Sequence, residues 1–334
     1  MYNKIIKILS INLLVLSLFS CTKVEHDISF YYWKNQYQVD DALRGKVKAL
    51  GCKKVYLRFF DVVWENGRTQ PIAVLSPVKE NPLMEDSVKI VPVVFITNEV
   101  FAATHKMEDL AESVAKQIQG MAAYNKVLGK CDEEIQIDCD WTRGTKEKYF
   151  AFLKALKKIS GAKISCTIRL HQIKDADEMG IPPAEKGYLM CYATSDPTDG
   201  QNSNSILDID LLKNYTKSLN KYPLPLDYAL PLFSWGIVTN HLGKVRLING
   251  VSRDDLENDN FTHLEGNRYK ALKACFLNGF YVSEGFTIEL EEISPALLRE
   301  AKQYLDNKIG HAYTIVYYHL SNGYLNRYTF EDLR

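Results

Sequence analysis

Glu134-Ile135-Gln136-Ile137-Asp138-Cys139-Asp140-Trp141-Thr142 alternates apolar and polar side chains. A β-strand sends successive side chains to opposite faces, so Ile135, Ile137 and Cys139 share one face and Gln136, Asp138 and Asp140 the other. An apolar outer face with an acidic inner face suits a closed barrel whose strand ends hold a site. Residues 163–171 repeat the pattern, with Ile164, Cys166, Ile168 and Leu170 on one face and Ser165, Thr167, Arg169 and His171 on the other. Two successive strands with polar inner faces imply a wet or ligand-bearing interior, or a satisfied hydrogen-bond network. The same register turns Tyr188, Met190 and Tyr192 inward from a sixth strand, and Ala229, Phe233 and Trp235 from a seventh.

Strand patterns fall at 28–34, 53–61, 89–97, 134–140, 163–171, 187–193, 226–235 and 312–319. Helical patterns fall between them at 39–50, 107–124, 146–159, 208–219, 267–277 and 295–307. Strands alternating with helices predict a single α/β domain of the (β/α)8 type over 28–334. A doubly wound open sheet is the alternative, but no Gly-rich phosphate loop follows an early strand. Long connections at 62–88 and 236–264 are expected to wall the site, which would bring Trp64, Glu65, Asn240 and His241 near its mouth.

Lys4 and Lys7 precede an apolar run through Ile11, Leu13, Leu14, Val15, Leu16 and Leu18 that stops at Ser20-Cys21. This reads as a secretory signal over 1–20, too short for a comfortable transmembrane helix. Leu18-Phe19-Ser20-Cys21 resembles a bacterial lipobox, which implies lipidation of Cys21, a tether over 21–27 and a domain held at a cell-envelope membrane, the outer membrane being the expected one. Lys plus Arg and Asp plus Glu both total 41, so no basic surface favours nucleic acid. None of the seven cysteines forms a Cys-x-x-Cys pair, which leaves buried thiols as the default. The 20 tyrosines, 14 phenylalanines and four tryptophans supply flat amphipathic rings of the kind that line sugar sites and also build cores.

Asp138-x-Asp140 on the fourth strand and Met190-Cys191-Tyr192 on the sixth resemble parts of the chitinase-like glycoside hydrolase barrels. That resemblance implies a D-x-x-D-x-D-x-E strand, whose Glu protonates the glycosidic oxygen while its Asp neighbour orients the substrate's acetamido group, and an M-x-Y-D strand. Asp138 and Asp140 match the second and third aspartates, whereas the first falls on Ile135 and the Glu on Thr142. Tyr192 matches the tyrosine, and Ala193 stands where the aspartate is expected. A threonine cannot donate a proton at neutral pH. Over the mature chain, 135–140, 167–172, 187–192 and 224–236 resemble the glycoside-hydrolase-like barrel lipoproteins of Bacteroidota, a family of unknown function.

If the chain hydrolyses a glycosidic bond, Asp140 is the candidate acid and Asp138 raises its proton affinity, because two close carboxylates do not ionise independently. A partner carboxylate is then needed, with Glu99, Asp196 and Glu284 as candidates. Tyr192, Arg169, His171, Trp235, Glu99 and Arg58 are candidate substrate contacts, and the expected partner is a glycan. The structural alternative is an internal ion network joining the Asp pair to Arg169 or Arg58. Asp138, Asp140 and His171 also raise a divalent-ion site, but no compact ligand motif accompanies them, so neither metal nor other cofactor is expected. No Gly-x-Ser-x-Gly elbow supports serine chemistry. A glycan-binding lipoprotein with a degenerate active site, or one whose polar interior serves only stability, stands beside the hydrolase.

Overall fold

The computed structural model describes residues 25–131, 133–198 and 204–334. Eight parallel strands form the barrel: β1 (Asp27–Tyr32), β2 (Lys54–Glu65), β3 (Lys89–Ile96), β4 (Glu134–Asp138), β5 (Lys163–Arg169), β6 (Lys186–Met190), β7 (Leu226–Pro231) and β8 (Thr314–Tyr318). They pair in chain order, and β1 closes the ring by pairing with both β2 and β8. All eight strand patterns in the sequence correspond to these strands.

The outer faces are covered by amphipathic helices. Met107–Tyr124 buries Leu110, Ala111, Val114, Ala115 and Ile118, a three-four spacing that makes one apolar stripe. It packs on Lys146–Ser160, which buries Tyr149, Phe152, Leu153 and Leu156 and stops at the left-handed Gly161. Pro295–Ile309 starts with Pro in its first turn, is capped by Ser294 accepting from the Leu297 amide, and ends at Gly310. None of the described helices is long and apolar enough to cross a membrane.

Between β7 and the helix Pro295–Ile309 the barrel carries an inserted antiparallel sheet. Its strands are Ser234–Thr239, Val245–Asn249, Phe261–His263, Arg268–Ala271 and Thr287–Glu292, joined by a hairpin of Cys275–Leu277 and Phe280–Val282. It has its own core around Val238, Ile248, Val251, Tyr269, Val282 and Ile288. The helix expected over 267–277 is therefore absent. Arg268 and Lys270 are exposed while Tyr269 and Ala271 are buried, a period of two that the crowded apolar residues downstream concealed. The expected wall over 236–264 is the first part of this insertion, and the wall over 62–88 begins as an extension of β2 paired with Arg68–Ile72.

Candidate functional site

The carboxyl ends of the strands surround a cavity of ≈ 480 Å³. Every strand or its immediate continuation contributes: Trp33 after β1, Arg58 and Asp61 from β2, Phe95 from β3, Asp138 and Asp140 at β4, and Arg169 from β5. Met190 and Tyr192 come from β6, Phe233 and Trp235 follow β7, Tyr318 ends β8, and Asn249 of the insertion and Tyr324 close the rim. A larger depression of ≈ 760 Å³ lies at the opposite end, among Glu25, Lys53, Lys186 and Arg334. Parallel barrels place their chemistry at the carboxyl ends, where the smaller cavity joins two guanidinium groups, three carboxylates and a wall of rings.

Asp138 is buried, and Thr167 Oγ1 donates to its Oδ1 at 2.6 Å. Burial pushes its carboxyl up to about 6, opposed by the Thr167 bond and by Arg169, and reinforced by the charges of Asp140 and Asp61. Asp140 differs: its side chain is 47% exposed and forms an ion pair with Arg169, whose Nε lies 2.8 Å from Oδ1. The same guanidinium reaches the Met190 sulfur at 3.5 Å. The two aspartates that alternation places together thus occupy different environments, and it is Asp138 whose proton is held toward neutrality.

A second carboxylate faces this pair, and strict alternation misses it. Counting by twos from Arg58 sends Asp61 outward. The register slips by one residue between Arg58 and Phe60, and this bulge returns Asp61 to the inner face. There Asp61 lies level with Phe95, which is level with Asp138. Two interstrand spacings put the Asp61 and Asp138 Cα atoms roughly 10 Å apart. Arg58 grips Asp61 with both arms, Nε donating to Oδ1 at 2.6 Å and Nη2 to Oδ2, and its guanidinium lies 5.5 Å from the Trp33 ring centre. Both aspartate oxygens are engaged, which makes Asp61 a poor general base.

The rings form a continuous apolar wall. Tyr318 is 5.6 Å from Tyr192 and 5.7 Å from both Trp33 and Phe233, and Phe233 is 5.3 Å from Trp235, all centre to centre. Trp235 donates its indole N–H to Glu291 at 2.7 Å. The buried Tyr192 hydroxyl has no hydrogen-bond partner among the described residues. Deeper in the barrel Gln136 is fully buried, and Tyr188 meets Tyr56 and Glu134 beneath the cavity.

Other expected residues lie elsewhere. His171 is not on the strand: β5 ends at Arg169, whose N–H donates to Gln172 in a capping box, and the chain turns into the helix Leu170–Lys174 with His171 exposed. Asp138, Asp140 and His171 consequently form no metal-ligand group, and no such group occurs among the described residues. Glu99 is exposed in the first turn of Asn98–Ala103. Asp196 accepts from the amide and hydroxyl of Thr198 in an exposed turn, and Glu284 is exposed within the insertion. None of these three carboxylates lines the cavity, and neither do Trp64, Glu65, Asn240 or His241. Trp64 and Glu65 run out along the β2 hairpin, and His241 packs edge-on against Phe286. Thr142 is also outside, in the exposed turn that leads into Lys146–Ser160, its N–H donating to Thr145 Oγ1.

Trp33, Asp61, Phe95, Asn249, Tyr318 and Tyr324 were not expected from the sequence. Alternation from Tyr31 to Trp33 and from Val316 to Tyr318 would have found the first and fifth. Asn249 and Tyr324 reach the rim through tertiary placement alone.

No protein-family model matches the chain, and no curated protein does by sequence. Solved structures do match its fold. The spore cortex-lytic enzyme SleL of Bacillus megaterium QM B1551 superposes with a TM-score of 0.59 at 16% identity, over 93% of this chain and 75% of that one. SleL of Bacillus cereus gives 0.58 at 13%, over 94% and 74%. A chitinase from Chromobacterium violaceum ATCC 12472 gives 0.54 at 13%, over 92% and 98%. At these identities the likeness shows the fold alone, a closed (β/α)8 barrel.

Proposed function

We propose that the barrel mouth binds a glycan and does not cleave it. The observation that carries this reading is the fate of Thr142: the position where the resemblance expects a proton-donating glutamate is a threonine in a helix-leading turn outside the cavity. What remains inside suits recognition. Trp33, Phe233, Trp235 and Tyr318 offer ring faces to the apolar faces of sugars, while Arg58, Arg169 and Asp140 offer polar contacts at the edges. The neighbours named as chitinases and cortex-lytic enzymes support a glycan as the occupant. By the same resemblance Asp140 orients an acetamido group, with Arg169 fixing its carboxylate.

One observation favours a second reading, hydrolysis with Asp138 as the acid in place of the Asp140 expected from the sequence. A carboxyl held at about 6 keeps an appreciable protonated fraction near neutrality. The anchor at Cys21 and the envelope location belong to the same proposal, and Cys21 lies outside the described residues.

The deciding experiment is titration of the mature protein with a panel of chitooligosaccharides, peptidoglycan fragments and host N-glycans, alongside reducing-end release by wild type, Asp138→Asn and Asp140→Asn. Binding without release, weakened in Asp140→Asn, is the expected result. Release that disappears in Asp138→Asn would transfer the assignment to the hydrolase, and silence throughout the panel would remove the glycan reading.

A further inference from the structure

The amino-terminal end of the barrel opens into a cavity of ≈ 480 Å³ that shares no lining residue with the mouth. Barrel interiors are normally filled by bulky branched side chains, but Ser29 of β1 and Ser165 of β5 stand near this floor and leave room. Two ion pairs line the space. Lys54 Nζ donates to Glu134 Oε2 at 2.6 Å, and Lys186 Nζ to Asp227 Oδ2 at 2.8 Å. The other oxygens of these carboxylates are also engaged: Glu134 Oε1 accepts from Ser165 at 2.8 Å and Tyr188 at 3.3 Å, and Asp227 Oδ1 from the Thr314 amide at 2.9 Å. Glu185 is likewise held by Lys157 and the Ile164 amide.

The acceptors are thus occupied, whereas the donors are not. An ammonium carries three N–H groups, so Lys54 and Lys186 keep spare ones after their ion pairs. Lys53 and Lys163, exposed at the opening, have no hydrogen-bond or ion-pair partner among the described residues. Ser29 is fully buried at the inner end, and its hydroxyl has no partner among the described residues either. A buried hydroxyl left unpaired costs free energy that a ligand oxygen would recover. Asp27, also exposed at the opening, supplies the opposing charge. The donors of β1 and β2 face those of β5 and β6 across the ring. A phosphate presents several acceptor oxygens to donors arriving from different sides, and lysine serves it as a point charge.

We propose that this floor cavity binds a phosphate group, carried by a soluble ester or by the headgroup of a phospholipid in the membrane against which an anchor at Cys21 would hold this end of the barrel. The site is independent of the glycan reading of the mouth. The test is calorimetric titration of the full chain with inorganic phosphate, glycerol 3-phosphate and monomeric dihexanoyl phosphatidylglycerol, for wild type, Ser29→Ala, Lys53→Gln/Lys163→Gln and Asp27→Asn. Binding of either soluble phosphate supports the site with a soluble source, and binding of the lipid alone supports it with a headgroup as the source. The lysine double variant should lose about tenfold in affinity, the scale of two exposed charge contacts. Ser29→Ala should also lose about tenfold, through one hydrogen bond to a charged group, and Asp27→Asn should gain several-fold by removing the repelling charge. Unchanged affinity in Ser29→Ala would leave only diffuse attraction to surface lysines and overturn the site. Weaker binding in Asp27→Asn, or no binding of any of the three compounds to wild type, would overturn it as well.

Discussion

Asp138 ties stability to pH with an unusual sign. Its carboxyl stands at about 6 in the fold against an ordinary 3.8, so between those values the native state keeps a proton that the unfolded chain has released. Stability therefore falls as pH rises from about 4 to about 6 and levels off above, by roughly 3 kcal/mol in all. Asp138→Asn should abolish that slope while still accepting from Thr167, which chemical denaturation at a series of pH values would show; a variant curve parallel to wild type would refute the assignment. Asp61 and Arg58 make the complementary case. Arg58→Met leaves a buried carboxylate without its partner and should cost about 3 kcal/mol, most of it recovered in Arg58→Met/Asp61→Leu. A double variant no more stable than the single one would show that the pair does more than satisfy itself. The Asp138/Asp140 pair was legible in the sequence because its strand keeps strict alternation. Asp61 was not, because one bulge reverses the parity of β2, and His171 was misplaced because nothing in the apolar-polar pattern announces that β5 becomes a helix at Leu170.

Among the elements, the insertion is joined to the barrel mouth through one carboxylate. Glu291, buried on the strand Thr287–Glu292, accepts from the Ser205 amide at 2.9 Å, from the Ser205 hydroxyl and from the Trp235 indole. It thereby holds a cavity-lining ring and the segment after β6 against the same sheet. Glutamine would turn an N–H₂ toward one of these donors, so Glu291→Gln should lower stability by about 2 kcal/mol, the scale of bonds to a charged group. As a positioning residue it should also change Trp235 fluorescence and weaken glycan binding several-fold. Unchanged fluorescence with lowered stability would restrict Glu291 to a structural part. The barrel strands were readable because buried parallel strands are near-continuous apolar runs separated by long helices. The insertion was not: its strands are as short as three residues, and 267–277 carries enough Leu, Ala and Lys to imitate a helix until the burial of Tyr269 and Ala271 shows the period of two.

At the scale of the whole molecule, the proposed anchor would give the two ends of the barrel different tasks. β1 starts at Asp27, at the end opposite the cavity, because parallel strands all enter at the floor and leave at the mouth. Asp27 lies six positions after Cys21, an interval that even fully extended spans at most about 20 Å. An acyl chain on Cys21, as proposed, would hold the floor near the bilayer and leave the mouth and the insertion facing away from it, open to a glycan. One acyl group binds a membrane only reversibly, so stable retention needs the multiple chains of a bacterial lipoprotein. Cys21→Ser in the full-length chain should therefore abolish incorporation of labelled palmitate and move the protein from the membrane pellet to the soluble fraction, with oligosaccharide affinity unchanged. Labelling or pelleting that survives the substitution would dismiss the anchor, and a cysteine introduced at the exposed Tyr281 of the anchored protein would test the orientation. It should react with a membrane-impermeant maleimide on lipoprotein-bearing vesicles as fast as on the free protein, whereas strong protection by the bilayer would mean that the mouth faces the membrane.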